Sequence, residues 1–175
     1  NTLGRAGAET ALVALIKRLD PEKYNIYLYV CLGQGELIRD IPDYVMVLNQ
    51  DYDESSVLTA DGKKQLKSRV FKMLFTREAA FRNIPYIISN TVHNLMEHRK
   101  VSVDKLLWSV VADAGAAYAG DRHYDLAVAY IEGAAAYFVD RYVNADKKAG
   151  FIHVDYGMAG YSRRLDRECY DRFDK

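Results

Sequence analysis

Asp125-Leu126-Ala127-Val128-Ala129-Tyr130-Ile131-Glu132-Gly133 is the stretch that decides the fold. Asp125 to Ile131 is an apolar run of strand length, the mark of a strand buried on both faces of a parallel sheet. Glu132-Gly133 ends it, and the alanine-rich stretch from Ala134 to about Tyr142 follows as a short helix. Lys147-Lys148 then leads into a second apolar strand, Phe151-Ile152-His153-Val154, after which Asp155-Tyr156-Gly157 turns the chain away. Strand, helix, strand at this spacing reads as a right-handed βαβ unit with parallel strands. In open α/β sheets, ligands bind beyond the carboxyl ends of the strands. His153 and Asp155 stand at such an end and are candidate site residues. They fit equally well as a buried histidine bonded to a backbone carbonyl and an aspartate capping a turn.

Working outward, the same alternation recurs. Asn1-Thr2-Leu3-Gly4-Arg5-Ala6-Gly7-Ala8-Glu9 is a small-residue loop leading into a helix from about Ala8 to Leu19, with Leu12, Leu15, Ile16 and Leu19 on one face. A glycine-containing loop before a helix N-terminus offers N–H groups to an anion such as a phosphate. Gly4-x-x-Gly7 matches neither the dinucleotide fingerprint nor a P-loop, and an ordinary strand-to-helix turn also needs such glycines. Only Leu3 stands where a preceding strand would end, so a first strand is expected upstream of this numbering. Asn25 to Leu32 is another continuous apolar run, read as a strand buried on both faces, and Tyr44 to Leu48 is a further strand. Glu36 to Arg39 makes a short helix at most, and Asp51, Asp53 and Glu54 read as a solvated loop.

From Lys63 to Phe81 the period is helical, with Leu66, Val70, Met73 and Leu74 on one face beside Phe71 and Phe75. The other face gathers Lys63, Lys64, Lys67, Arg69, Lys72, Arg77 and Arg82, with Glu78 the sole acid. Such a helix either lies on an anionic membrane or, the preferred reading, packs on the core with a solvated charged back. Asn83-Ile84-Pro85 should break it. Tyr86-Ile87-Ile88 fits strand or helix, and His93 and His98, five apart, read as surface histidines rather than a zinc pair. Ser102 or Asp104 caps a further helix whose stripe is Leu106, Leu107, Val110, Val111, Ala114 and Tyr118. Ser162 to Lys175 is a charged helix with Leu165, Cys169 and Phe173 inward.

The chain has 175 residues, half of them hydrophobic, with a formal net charge of zero. That suits one soluble domain, residues 1–175, or part of a longer protein, and gives no electrostatic reason to expect nucleic acid. Cys31 and Cys169 read as free thiols of a reducing compartment. No apolar run has the length of a membrane span, so the expected location is cytoplasmic, or membrane-associated through residues 63–82. The fold class is α/β, a Rossmann-like three-layer domain with a mainly parallel sheet.

Several of these tracts share one resemblance. Gly4-Arg5-Ala6-Gly7-Ala8-Glu9 with its helix resembles the Gly-Gly-x-Glu loop of family 4 glycosyltransferases of the GT-B fold. Asp20-Pro21-x-x-Tyr24 leads into a strand as in that family's amino-terminal domain. Tyr124 to Gly133 resembles its fourth strand and loop, and Phe151 to Tyr156 the tract in which a histidine ends a strand facing the interdomain cleft. Arg5 departs from the pattern, standing where glycine is more usual; it restricts the approach of a phosphate while offering a guanidinium.

The resemblance implies a retaining, metal-independent enzyme that takes a sugar from a UDP- or GDP-sugar to a glycan or lipid-linked acceptor, as in cell-surface polysaccharide synthesis. No cofactor is implied. This chain would be the acceptor-side half, its donor-binding carboxyl-terminal domain lying outside these 175 residues, and would be inactive alone. Gly4, Arg5, Ala6 and Gly7 would contact the donor phosphates. His153 would be the catalytic residue, orienting a hydroxyl, and Glu132, Gly133, Asp155 and Tyr156 would hold acceptor or sugar hydroxyls. The alternative from another class is a non-enzymatic Rossmann-like phosphate-binding or interaction module. A dehydrogenase is disfavoured, because the strand at 25–32 ends in Cys31-Leu32-Gly33 without the acid its fingerprint needs.

Overall fold

A computed structural model describes residues 1–74, 77–96, 103–156, 158–161 and 163–175. The protein is mixed α/β and divides into two compact units, Asn1–Val70 and Phe71–Lys175.

In the first unit, α1 (Gly7–Ile16) precedes β1 (Tyr27–Leu28), a 3-10 turn (Glu36–Asp40), β2 (Met46–Val47) and the start of α2 (Ala60–Leu74). α1 buries Val13 and Ile16 and leaves Leu15 exposed, so its inner face is rotated from the predicted one. β1 and β2 pair in parallel over two residues, against the longer strands expected at 25–32 and 44–48. The ladder is short because a side chain takes over from backbone: Asn49 receives the Val30 N–H at 2.9 Å and donates to the Val30 carbonyl at 2.9 Å. Tyr27 is exposed while Leu28 is buried, which corrects the reading of a strand covered on both faces. Leu3, Val13, Ile16, Leu28, Val30 and Leu37 are central to the core. Burying each such side chain contributes about 2 kcal/mol, whereas a backbone hydrogen bond contributes about 1 kcal/mol, so packing rather than the ladder holds this unit. Asp53 is not simply solvated: its N–H donates to Gly33 O and its carbonyl accepts from Gly35 N–H.

The second unit holds α3 (Arg77–Met96), α4 (Val103–Ala114), α5 (Ala116–Ala119), β3 (His123–Ala129), α6 (Ala134–Tyr142), β4 (Asn144–Gly150) and α7 (Arg163–Tyr170). α3 runs through Pro85, where a break was expected, and makes 86–96 helical. Proline there removes one helical hydrogen bond, and packing of α3 against α4 sustains the helix beyond it. His93 is half-buried on α3, whereas His98, Phe75 and Ser102 lie outside the described residues. On α4, Val110 and Val111 are buried as predicted, but Ala114 is exposed.

β3 and β4 pair in parallel from His123 opposite Asn144 to Ala129 opposite Gly150. Ala127 and Ala129 face inward, but Leu126 is 55% and Val128 42% exposed, so β3 is covered on one face, not two. The predicted strand at Phe151–Val154 is displaced: β4 contains Lys147 and Lys148, and Phe151, Ile152 and Val154 lie beyond it, exposed. β3 supplies the reason. It gives way to a turn at Glu132-Gly133, where Gly133 has φ 89°, and no regular ladder remains for the chain after Phe151. α6 matches its predicted range, is buried on nearly every side, and packs against α4, α7 and β3. Its Asp140 is bonded by Arg172 through both Nε (2.6 Å) and Nη2 (2.5 Å). The free thiols Cys31 and Cys169 are both buried.

Candidate functional site

The carboxyl ends of β3 and β4 gather most of the predicted site residues of the second unit. Phe151 N–H still donates to Ala129 O at 2.9 Å, extending the ladder by one bond. At the next alternate residue the backbone acceptor is gone, and His153 N–H donates instead to Glu132 Oε2 at 3.0 Å. Glu132 is only 4% exposed, and its Oε1 accepts from the Tyr161 hydroxyl at 3.4 Å. A buried carboxylate in this setting needs such donors, and it uses them to fix the backbone that carries His153.

The His153 ring is exposed, yet its orientation is defined. Nε2 lies 2.9 Å from the Tyr130 carbonyl, and the ring centroid is 5.2 Å from that of Tyr130 and 6.2 Å from that of Phe151. A carbonyl only accepts, so Nε2 carries the proton. In the neutral imidazole that leaves Nδ1 as the acceptor, the nitrogen able to orient or deprotonate a hydroxyl.

The remaining predicted residues have structural duties. Asp155 Oδ1 accepts the Met158 N–H at 3.1 Å and its carbonyl accepts the Ala159 N–H at 2.9 Å, so Asp155 caps a turn. Gly157 lies outside the described residues. Gly133 opens α6, and an added Cβ would meet the Trp108 indole at 2.9 Å, so only glycine fits there without displacement. The Tyr156 hydroxyl donates to Asp166, and its ring stacks on Tyr161 at 5.4 Å.

Asp166, absent from the predicted set, is the centre of that second cluster. Tyr137 and Tyr156 both donate to its carboxylate, which is almost wholly buried on α7. Burial pushes its carboxyl above the ordinary 3.8, and the two phenol hydrogen bonds offset part of that rise. Tyr161 is likewise raised, first by burial and then by the Glu132 charge. A signal for Asp166 exists in the sequence. It lies three residues before Cys169 and seven before Phe173, on the inward face of α7, where a carboxylate must find donors.

The loop Gly4–Gly7 belongs to the first unit. Ala6 is the N-cap of α1 without a side-chain cap, and Gly7 has open space around its Cβ direction. Gly4 is buried, and a Cβ there would stand 2.7 Å from Val57. The Arg5 N–H is already engaged: it donates to Glu36 Oε1 at 3.3 Å, and the same oxygen accepts from Ser56 Oγ at 3.0 Å. Glu36 Oε2 is buried and unpaired. Desolvation pushes the Glu36 carboxyl up, but hydrogen bonds from its own N–H, Ser56 and Arg5 outweigh it and hold the group below the ordinary 4.5. A carboxylate thus stands at the loop assigned to donor phosphate. Sequence reasoning missed it, since Arg5 and Glu36 are 31 residues apart.

Among the described residues no group of three or more His, Cys, Asp or Glu is placed to hold a metal ion. No helix among them is long and apolar enough to cross a membrane. Compared with family models, curated proteins and solved structures, the chain matches none.

Proposed function

We propose that this chain is the acceptor-side half of a retaining GT-B-fold glycosyltransferase, a Rossmann-like three-layer domain acting with a donor-binding domain on a nucleotide sugar. The observation that carries the reading is the carboxyl-end arrangement of the parallel pair, where Glu132 fixes the His153 backbone and Tyr130 O fixes its ring. A hydroxyl of the acceptor or donor sugar bonds to Nδ1 of His153, which orients it while the nucleoside diphosphate departs. In the first unit, backbone N–H groups at the start of α1 suit an anion such as a phosphate. Tyr156 and Asp155 act here by shaping the turn after β4 rather than by gripping sugar.

A second reading, a non-enzymatic Rossmann-like interaction module, is favoured by one observation: Glu36 occupies the Arg5 N–H and brings negative charge to the loop. The natural polypeptide containing this chain is assayed for release of UDP or GDP from a panel of nucleotide sugars. Turnover that falls about tenfold or more in His153→Ala, with the 175-residue chain inert, supports the transferase. Inertness with every donor favours the interaction module.

A further inference from the structure

Two buried carboxylates of the second unit are joined by a ring stack. Glu132 takes the Tyr161 hydroxyl on Oε1 and the His153 N–H on Oε2. Asp166, 2% exposed, takes the Tyr137 hydroxyl on Oδ1 and the Tyr156 hydroxyl on Oδ2. Between them the Tyr156 and Tyr161 rings lie 5.4 Å apart and 17° from parallel. Contact is therefore continuous from α7 through Tyr156, Tyr161 and Glu132 to the His153 backbone. Tyr170, four residues after Asp166 on α7, sets its hydroxyl against the backbone N–H of Gly133, next to Glu132.

Packing alone would be served by an apolar side chain at position 166, because burying a carboxylate costs free energy that its donors only offset. What the carboxylate adds is direction. Each oxygen accepts one phenol, and a hydrogen bond fixes where that phenol points, which apolar contact does not. Tyr137 comes from the buried helix α6 and Tyr156 from the segment after β4, so Asp166 ties the segment that carries His153 to the core of this unit. Burial and then the Glu132 charge raise the Tyr161 phenol, so it keeps its proton and remains a donor to Glu132.

We propose that Asp166 is a positioning residue for His153. It holds the Tyr156 hydroxyl, the Tyr156 ring seats that of Tyr161, and Tyr161 presents its hydroxyl to the carboxylate that fixes the His153 N–H. Asp166 acts through these side chains and not on substrate. The use made of a well-placed His153 rests on the transferase reading; the placement itself does not.

The test compares the two phenols on Asp166. Tyr156→Phe and Tyr137→Phe each remove one hydroxyl from the same carboxylate and keep the ring, so a role confined to stability would show in both. Two readouts are taken by NMR in the 175-residue chain without substrate: hydrogen exchange at the His153 N–H and the shifts of its ring nitrogens. In Tyr156→Phe the exchange quickens about threefold or more. The ring nitrogens, distinct in the wild type with the proton on Nε2, move toward a common value. In Tyr137→Phe both readouts stay at the wild-type values. Asp166→Leu acts as Tyr156→Phe does, and if it fails to fold the tyrosine pair decides alone. A His153 unmoved in Tyr156→Phe, or moved equally in Tyr137→Phe, overturns the proposal. In the natural polypeptide, Tyr156→Phe lowers kcat for nucleotide-sugar turnover and leaves the KM of the donor in place. If that polypeptide is inert while the His153 signals move, the transferase reading fails and the positioning role stands. Turnover lost in His153→Ala but kept in Tyr156→Phe, with His153 unmoved, has the opposite meaning.

Discussion

Glu36 and Glu132 perform the same task in the two units with different completeness. Each stands after a strand of a parallel pair, and each accepts the backbone N–H of a residue far along the chain, Arg5 for one and His153 for the other. Each also takes a hydroxyl, from Ser56 and from Tyr161. Glu132 engages both oxygens and is shielded from water. Glu36 engages one oxygen twice and leaves the other unpaired. The His153 backbone is thus held by a satisfied acid, whereas the Gly4–Gly7 loop is held by a half-satisfied one. Preorganisation belongs to the first and adaptability to the second.

The comparison breaks most sharply at the glycine before the weaker acid. Gly35 has φ 138°, and an added Cβ would lie 2.2 Å from the Leu3 carbonyl carbon. Gly35→Ala should destabilise the first unit by about 4 kcal/mol, measured by urea unfolding. Glu132→Ala, which strands the His153 N–H and the Tyr161 hydroxyl, should lower stability by about 3 kcal/mol, against about 1 kcal/mol for Glu36→Ala. Equal losses would mean that the two acids are not different in kind.

Acidity separates the buried acid from the half-buried one more gently. Asp166 is raised above 3.8 in the fold, so its contribution is fully present below that value and is lost as pH rises through its folded value. Glu36 is held below 4.5, so its contribution is present above that value and is lost as pH falls through its folded one. In urea midpoints followed against pH, Asp166→Asn should remove the decline on the alkaline side, and Glu36→Gln the decline on the acid side. The smallest effect is at Gly7, where no atom lies within 4 Å of an added Cβ. Gly7→Ala should stabilise by about 0.5 kcal/mol through helix propensity, read as a small rise in Tm.

What the sequence made legible was local. The range of α6, the parallel βαβ pair and the strand-end place of Glu132 and His153 follow from periodicity within a short window and from the rule for crossovers. What it hid was contact between distant residues. The Arg5–Glu36 bond and the Tyr137–Asp166–Tyr156 cluster join residues that no window contains. Proline chemistry argued for a break at Pro85, and tertiary packing carried α3 past it. Phe151-Ile152-His153-Val154 has strand composition but no strand beside it, because Gly133 has already turned the neighbouring segment into α6. For the same reason, Tyr161 gave no local sign of its bond to Glu132.

Cys31 lies in the first unit and Cys169 in the second, and burial raises both thiols, Cys169 to about 12. A thiol at that value is about one part in 100,000 thiolate at neutral pH, so alkylation waits until the surrounding structure opens. Each unit therefore carries its own chemical clock. Pulse labelling with iodoacetamide, read by peptide mass, would time the breathing of the two units separately in a single sample, with no residue changed.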